Sequence, residues 1–115
     1  MHADSEINEV SPDLIAMAAE VMRILADPTR LAIILELEKH GELGVNALAE
    51  LVGKKPSGVS QHLAKMRFAR LVTTRQEGTS VLYRLVDEHA LALAHEAIRQ
   101  AEHAIAGGQI PPHHR

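Results

Sequence analysis

Apolar residues recur along this chain first with helical and then with strand spacing. Leu14, Met17, Ala18, Val21, Met22 and Leu25 fall three and four apart, the mark of one apolar helix face. Ser11-Pro12-Asp13 ahead of them supplies an N-cap and a proline at the first helical position, so a first helix is predicted from about Pro12 to Leu25. Asp27-Pro28 interrupts it, because the residue before a proline is pushed out of the helical region. Pro28-Thr29-Arg30 restarts a second helix, with Leu31, Ile34, Leu35 and Glu38 on a common face, and His40-Gly41 stops it. Val45 to Leu51 reads as a short third helix closed by Gly53. Lys55-Pro56-Ser57 opens a fourth that runs to about Arg70, its buried side marked by Val59, Leu63, Met66 and Ala69 or Arg70. The pattern then shifts: Val72–Gln76 and Val81–Leu85 read as strands around Glu77-Gly78-Thr79-Ser80, a loop of hairpin length. A long final helix is predicted from Asp87 to about Ala106, carrying Leu91, Ala94, Ile98, Ala101 and Ile105, with Gly107-Gly108 ending it. Residues 1–115 are thus read as a single domain, mainly α with a small β-hairpin, with a flexible acidic arm over 1–11 and a tail over 107–115.

Composition narrows the chemistry. The 115 residues include two aromatics, Phe68 and Tyr83, so the core must be aliphatic. Cysteine is absent, which excludes disulfide scaffolds, thiolate metal sites and cysteine nucleophiles. No run approaches the ~18 apolar residues of a membrane span, and the acidic start lacks the basic and apolar regions of a signal peptide, so a cytoplasmic protein without a membrane partner is expected. The eight histidines are the main reserve of metal ligands.

Net charge is −3, unpromising for a nucleic-acid binder until it is divided by region. From Lys54 to Arg84 there are seven basic residues and one acid, a net of +6, while the remainder nets −9. A compact basic segment inside an acidic chain is an electrostatic footprint for phosphates. It coincides with a short helix, a tight turn at Gly53, a basic helix and a hairpin, the order of a winged helix-turn-helix. On the fourth helix Ser57, Ser60, Gln61, His62 and Lys65 lie around the solvent side, where such side chains reach base edges or phosphates in a major groove. Lys54, Lys55, Lys65, Arg75 and Arg84 are the phosphate candidates, and Ser57, Ser60, Gln61 and His62 the groove readers. A helix-pairing interaction module would leave the +6 segment unexplained. A metal-dependent hydrolase would need an enclosed pocket with an open coordination position, which one helix and a tail do not offer, so no enzyme is expected.

Leu25-Ala26-Asp27-Pro28-Thr29-Arg30-Leu31 with Ile33-Ile34, Leu48-Ala49, then Ser57-x-x-Ser60-Gln61-His62-Leu63-x-x-Met66 and Gly78-x-x-x-Leu82-Tyr83 stand in one order along the chain. In this they resemble the ArsR/SmtB family of bacterial metal-sensing repressors, over roughly residues 14–106. The resemblance implies a homodimer joined through its first and last helices. It also implies an inverted-repeat operator in double-stranded DNA and a metal that alters operator affinity.

Which metal must be read from the final helix, where Asp87, His89, His95, Glu96, Glu102 and His103 gather, with His113 and His114 beyond. Imidazole and carboxylate suit nickel, cobalt or zinc. His89 and His103 are 14 residues apart, on nearly one face but separated by about 21 Å of helix rise, so one helix cannot hold one ion with both. They lie symmetrically about Glu96, however. Two such helices antiparallel about a dyad there would place His89 of one protomer beside His103 of the other, creating two intersubunit sites. Asp87, His89 and His103 match the zinc-sensing branch of the family, but Gln100 stands where that branch has a histidine, and Gln is a poor zinc ligand. Ala101-Glu102-His103-Ala104 and Pro112-His113-His114-Arg115 instead resemble the actinobacterial nickel- and cobalt-sensing branch. That resemblance implies His89, Glu102, His103, His113 and His114 as ligands of Ni2+, which Asp87 could join to complete a higher coordination number, with Co2+ or Zn2+ as alternatives. A regulator of the same fold with a vestigial metal site, controlled by a partner protein, is the other reading. His2, His40 and His95 are read as solvated or helix-end residues.

Overall fold

The computed structural model describes residues 9–108. Within them lie α1 (Pro12–Leu25), α2 (Pro28–His40), α3 (Val45–Val52), α4 (Pro56–Phe68), β1 (Val72–Glu77), β2 (Ser80–Leu85) and α5 (His89–Ala106). The predicted order of elements is the observed one. His2, His113 and His114 lie outside the described residues.

Local chemistry sets most boundaries. Ser11 Oγ accepts from the Leu14 amide at 3.1 Å and Asp27 Oδ2 from the Arg30 amide at 3.0 Å, so α1 and α2 both begin with a side-chain cap and a proline. Gly53 ends α3 in the left-handed conformation, φ 71°, with its amide turned back to the Ala49 and Glu50 carbonyls. The fourth helix ends at Phe68, two residues short of the expected Arg70. There the Leu71 amide donates to the Met66 carbonyl at 2.8 Å and the Arg70 amide to Arg67 at 2.9 Å around a left-handed Arg70, φ 63°. This is a Schellman ending with arginine where glycine is usual, and it turns Leu71 and Val72 into the core. The last helix begins at His89, because Asp87 Oδ1 accepts from the His89 amide at 2.9 Å and stays outside the helix as its lead-in turn. The hairpin is tighter than expected: Glu77 pairs with Ser80, leaving Gly78 and Thr79 as a two-residue loop, with Gly78 at φ 63°.

The core is aliphatic, as the composition requires. Ile33, Ile34 and Leu37 of α2, Leu48 and Ala49 of α3, Val59, Leu63 and Met66 of α4, Leu71, Val72, and Ala90 and Ala94 of α5 close on one another. Glu38, expected on the buried face of α2, is exposed, since Ile33 and Leu37 rotate that face away from it. His40, read as a partner of the last carbonyls of its helix, instead lies 3.5 Å from Glu36 Oε1, one turn back. Leu43 exchanges two backbone hydrogen bonds with Tyr83, at 3.1 and 2.8 Å. The connection between α2 and α3 thus lies along β2 and ties the wing to the body. In contrast, the apolar stripe of α1 is open: Leu14, Met17 and Met22 are more than half exposed, and only Leu25 is buried. Leu93 and Ile105 of α5 are also exposed.

Candidate nucleic-acid interface and metal ligands

Helix α4 separates its residues by face. Val59, Leu63 and Met66 point inward, while Ser57, Ser60, Gln61 and Lys65 are exposed, as are Lys54 and Lys55 just before it. No side chain caps the N-terminus of α4, and Pro56 occupies its first turn. Beyond the helix, the hairpin carries Arg75, paired with Leu82, and Arg84, paired with Thr73, two rungs apart on one face and both exposed.

Two placements differ from what the spacing alone conveys. Arg75 is not a free cation: its Nε donates to both carboxylate oxygens of Glu42, at 3.0 and 2.9 Å, and its Nη2 lies 3.7 Å from Glu77. Arg84 Nε is 4.0 Å from the same Glu42. The hydrogen bonds from Arg75, with the nearby charges of Arg75 and Arg84, hold the Glu42 carboxyl below its ordinary value of 4.5 against an opposing desolvation. A carboxyl stabilised in its charged form contributes to the folded wing above that ordinary value, and the contribution is lost as pH falls through the lowered one. Glu42 is therefore expected to titrate below 4.5, with the Arg75 Nε–H resonance shifting in step. A midpoint at or above the ordinary glutamate value in an NMR titration would show the pair does not form in solution.

His62 is the second. It lies half-buried on the flank of α4, its Nδ1 2.8 Å from Arg30 Nη1 and 3.9 Å from Asp27 Oδ2. Burial works to raise the Asp27 carboxyl, yet the hydrogen bond from the Arg30 amide and the charge of the Arg30 guanidinium lead the opposing effects that hold Asp27 below its ordinary 3.8. Sequence reading passed over Arg30 and Glu42. Asp27 is legible in the sequence as a helix breaker and as part of the Leu25–Leu31 motif, and the Asp-Pro pair also signals its N-cap position.

On α5, His89, Glu102 and His103 are exposed, and among the described residues their side chains enter no hydrogen bond or ion pair, whereas Glu96 is held by Arg99 at 2.6 Å. His89, Leu93, Glu96, Gln100 and His103 follow one another at intervals of four and three, the spacing of a helix-pairing seam. Asp87 stands beside His89 at the helix entrance. Among the described residues of one chain no three His, Asp or Glu side chains converge on one point. The donor types fit a nitrogen and oxygen metal site, but one chain's described residues do not complete it. No helix among the described residues is long and apolar enough to cross a membrane.

The family described as bacterial regulatory protein, arsR family, matches residues 27–74, the stretch from the α2 cap to the middle of β1. Over 115 residues the chain is 49% identical to the HTH-type transcriptional regulator KmtR of Mycobacterium tuberculosis, covering 100% of this chain and 86% of that protein. It is 39% identical to the regulator NmtR of the same organism over 92 residues, 80% of this chain and 76% of the other. Among solved structures, it resembles the homodimeric winged helix-turn-helix DNA-binding domain Mb0332 from Mycobacterium bovis. The TM-score is 0.73 at 29% identity, covering 90% of this chain and 92% of that one.

Proposed function

The chain belongs to the arsR family of bacterial regulatory proteins, and from that membership we propose that it is a nickel- or cobalt-responsive transcriptional regulator, acting as a homodimer on an inverted-repeat operator. It is a winged helix-turn-helix transcriptional regulator of the metal-sensing type and not an enzyme. The observation that carries the rest is the seam on α5. His89 and His103 sit at its two ends, exposed and without a protein partner among the described residues. Antiparallel pairing about Glu96 would bring His89 of each protomer beside His103 of the other.

The same pairing accounts for the open apolar stripe of α1. Leu14, Met17, Met22 and Leu93 are exposed in one chain, and a second copy laid along α1 and α5 would remove them from water, at roughly 25 cal/mol for each Å² covered. Asp87, His89, Glu102 and His103, with His113 and His114 of the tail, would hold the ion. Bound there, it would supply a cross-link whose strength depends on how the two final helices are set. Because α5 packs on α2 through Ala90 and Ala94, the spacing of the two reading heads follows that setting. A ligand that prefers one setting shifts the DNA-competent population by its differential affinity. Lys54, Lys55 and Lys65 meet phosphates, Arg75 and Arg84 join from the wing, and Ser57, Ser60 and Gln61 face the groove. The regulator works in the cytoplasm, where its DNA is.

The test is binding to the promoter upstream of its own gene, repeated with nickel, cobalt and zinc. The expected result is metal-free binding that nickel or cobalt weakens. A response to zinc alone would assign the site to the zinc branch. Indifference to all three metals, with a response to a co-transcribed protein, would make the metal site vestigial.

A further inference from the structure

Arg30 touches three elements at once. Its Nε donates to the Ile24 carbonyl in the last turn of α1, at 2.5 Å, and its amide to the Asp27 cap of α2, at 3.0 Å. Its Nη1 lies 2.8 Å from His62 Nδ1 on α4. A guanidinium has only donors, so Nδ1 must accept, and the neutral imidazole then carries its proton on Nε2. His62 is thereby held on the flank of the helix, half-buried, and not on the outward stripe of Ser57, Gln61 and Lys65.

Resting on the reading of this chain as a DNA-binding regulator, we infer that His62 positions the recognition helix and does not read a base: Asp27, Arg30 and His62 form a joint that fixes α4 to the corner between α1 and α2. The core side of α4 is held by Val59, Leu63 and Met66, contacts without direction that tolerate sliding and rotation. The joint adds a directional tie, 32 residues across the sequence, to the carbonyl end of the helix whose apolar stripe stands open. A change in how α1 is seated therefore reaches the reading head through Arg30 as well as through the core. Asp27 contributes the cap that orients Arg30.

Two variants of the full-length protein separate positioning from base reading. His62→Asn retains an acceptor oxygen close to the place of Nδ1; His62→Phe keeps the bulk and removes the acceptor. With duplex from the protein's own promoter, His62→Phe is expected to bind roughly tenfold or more weakly, the scale of a lost charge-assisted hydrogen bond, and His62→Asn to restore most of the affinity. Across a panel of single base-pair substitutions both should keep the parental ranking. Hydrogen exchange of the α4 amides in the absence of DNA should rise in His62→Phe and not in His62→Asn, and long-range 15N spectra should show the Nε2–H tautomer. Relaxed preference at one base pair in both variants would assign His62 to base reading and overturn the proposal. So would unchanged α4 exchange in His62→Phe, or an Nδ1–H tautomer. Failure of the unmodified protein to bind the duplex would count against the regulator reading alone, since exchange and tautomer still judge the joint.

Discussion

Replacing Lys54, Lys55 and Lys65 together with glutamine removes both protomers' copies from the complex, so operator affinity falls by roughly ten-thousandfold at moderate salt and the slope of log K against log salt by ~5.4. Each phosphate contact on a duplex releases about 0.9 of a counterion, which at ~0.15 M salt is worth roughly fivefold in affinity. These lysines should deliver that value in full: Lys54 and Lys55 are exposed just before α4 and Lys65 in its last turn, and among the described residues none enters an ion pair. The wing arginines should deliver less. A phosphate approaching Arg75 competes with the Glu42 carboxylate already engaged by both oxygens, so Arg75→Gln removes a contact that the free protein had partly satisfied. The measurement is fluorescence anisotropy on a labelled operator duplex between about 50 and 200 mM salt, with sedimentation to check that the dimer persists. A triple variant with the parental salt slope would remove these residues from the interface.

The second large effect concerns metal response. His89→Ala and His103→Ala are each expected to abolish it, eliminating a change in operator affinity of roughly 5- to 150-fold, the span of typical allosteric couplings. Mixing the two inert proteins provides the sharper result. If each site takes one histidine from each protomer, a mixed dimer has one site lacking both histidines and one with both intact. Subunit exchange between equal amounts should then restore about a quarter of the parental sites, visible as recovered nickel binding in a mixture of two silent components. No recovery after verified exchange would show that the site lies within one chain. Unchanged nickel affinity in both single variants would sink the assignment of these residues.

Much of the candidate interface was legible before any fold was known, for a physical reason. Helix starts at Ser11-Pro12 and Asp27-Pro28, the turn at Gly53 and the hairpin at Gly78 are set by the backbone preferences of a few adjacent residues. Charge is additive, so the basic segment from Lys54 to Arg84 can be summed without knowing where each side chain points. The misplaced ends have equally local causes, a Schellman turn built on Arg70 and an aspartate that leads into α5 from outside it.

The sequence by itself determined the element order, the aliphatic core, the gathering of basic residues between Lys54 and Arg84, and the absence of thiolate donors. Tertiary structure alone decided which charges are free and which faces are covered. Arg75 and Glu42 are 33 residues apart, and Arg30 and His62 are 32; such pairs exist only once helices and wing are set against one another, and no local preference encodes that distance. Phe68, which its type would place inside, is 92% exposed, because it stands two residues from Met66 on the far side of the last turn, while Val59, Leu63 and Met66 seat the helix. The open stripe on α1 follows from the same packing, since one chain holds too little apolar surface in reach to cover both that helix and α5.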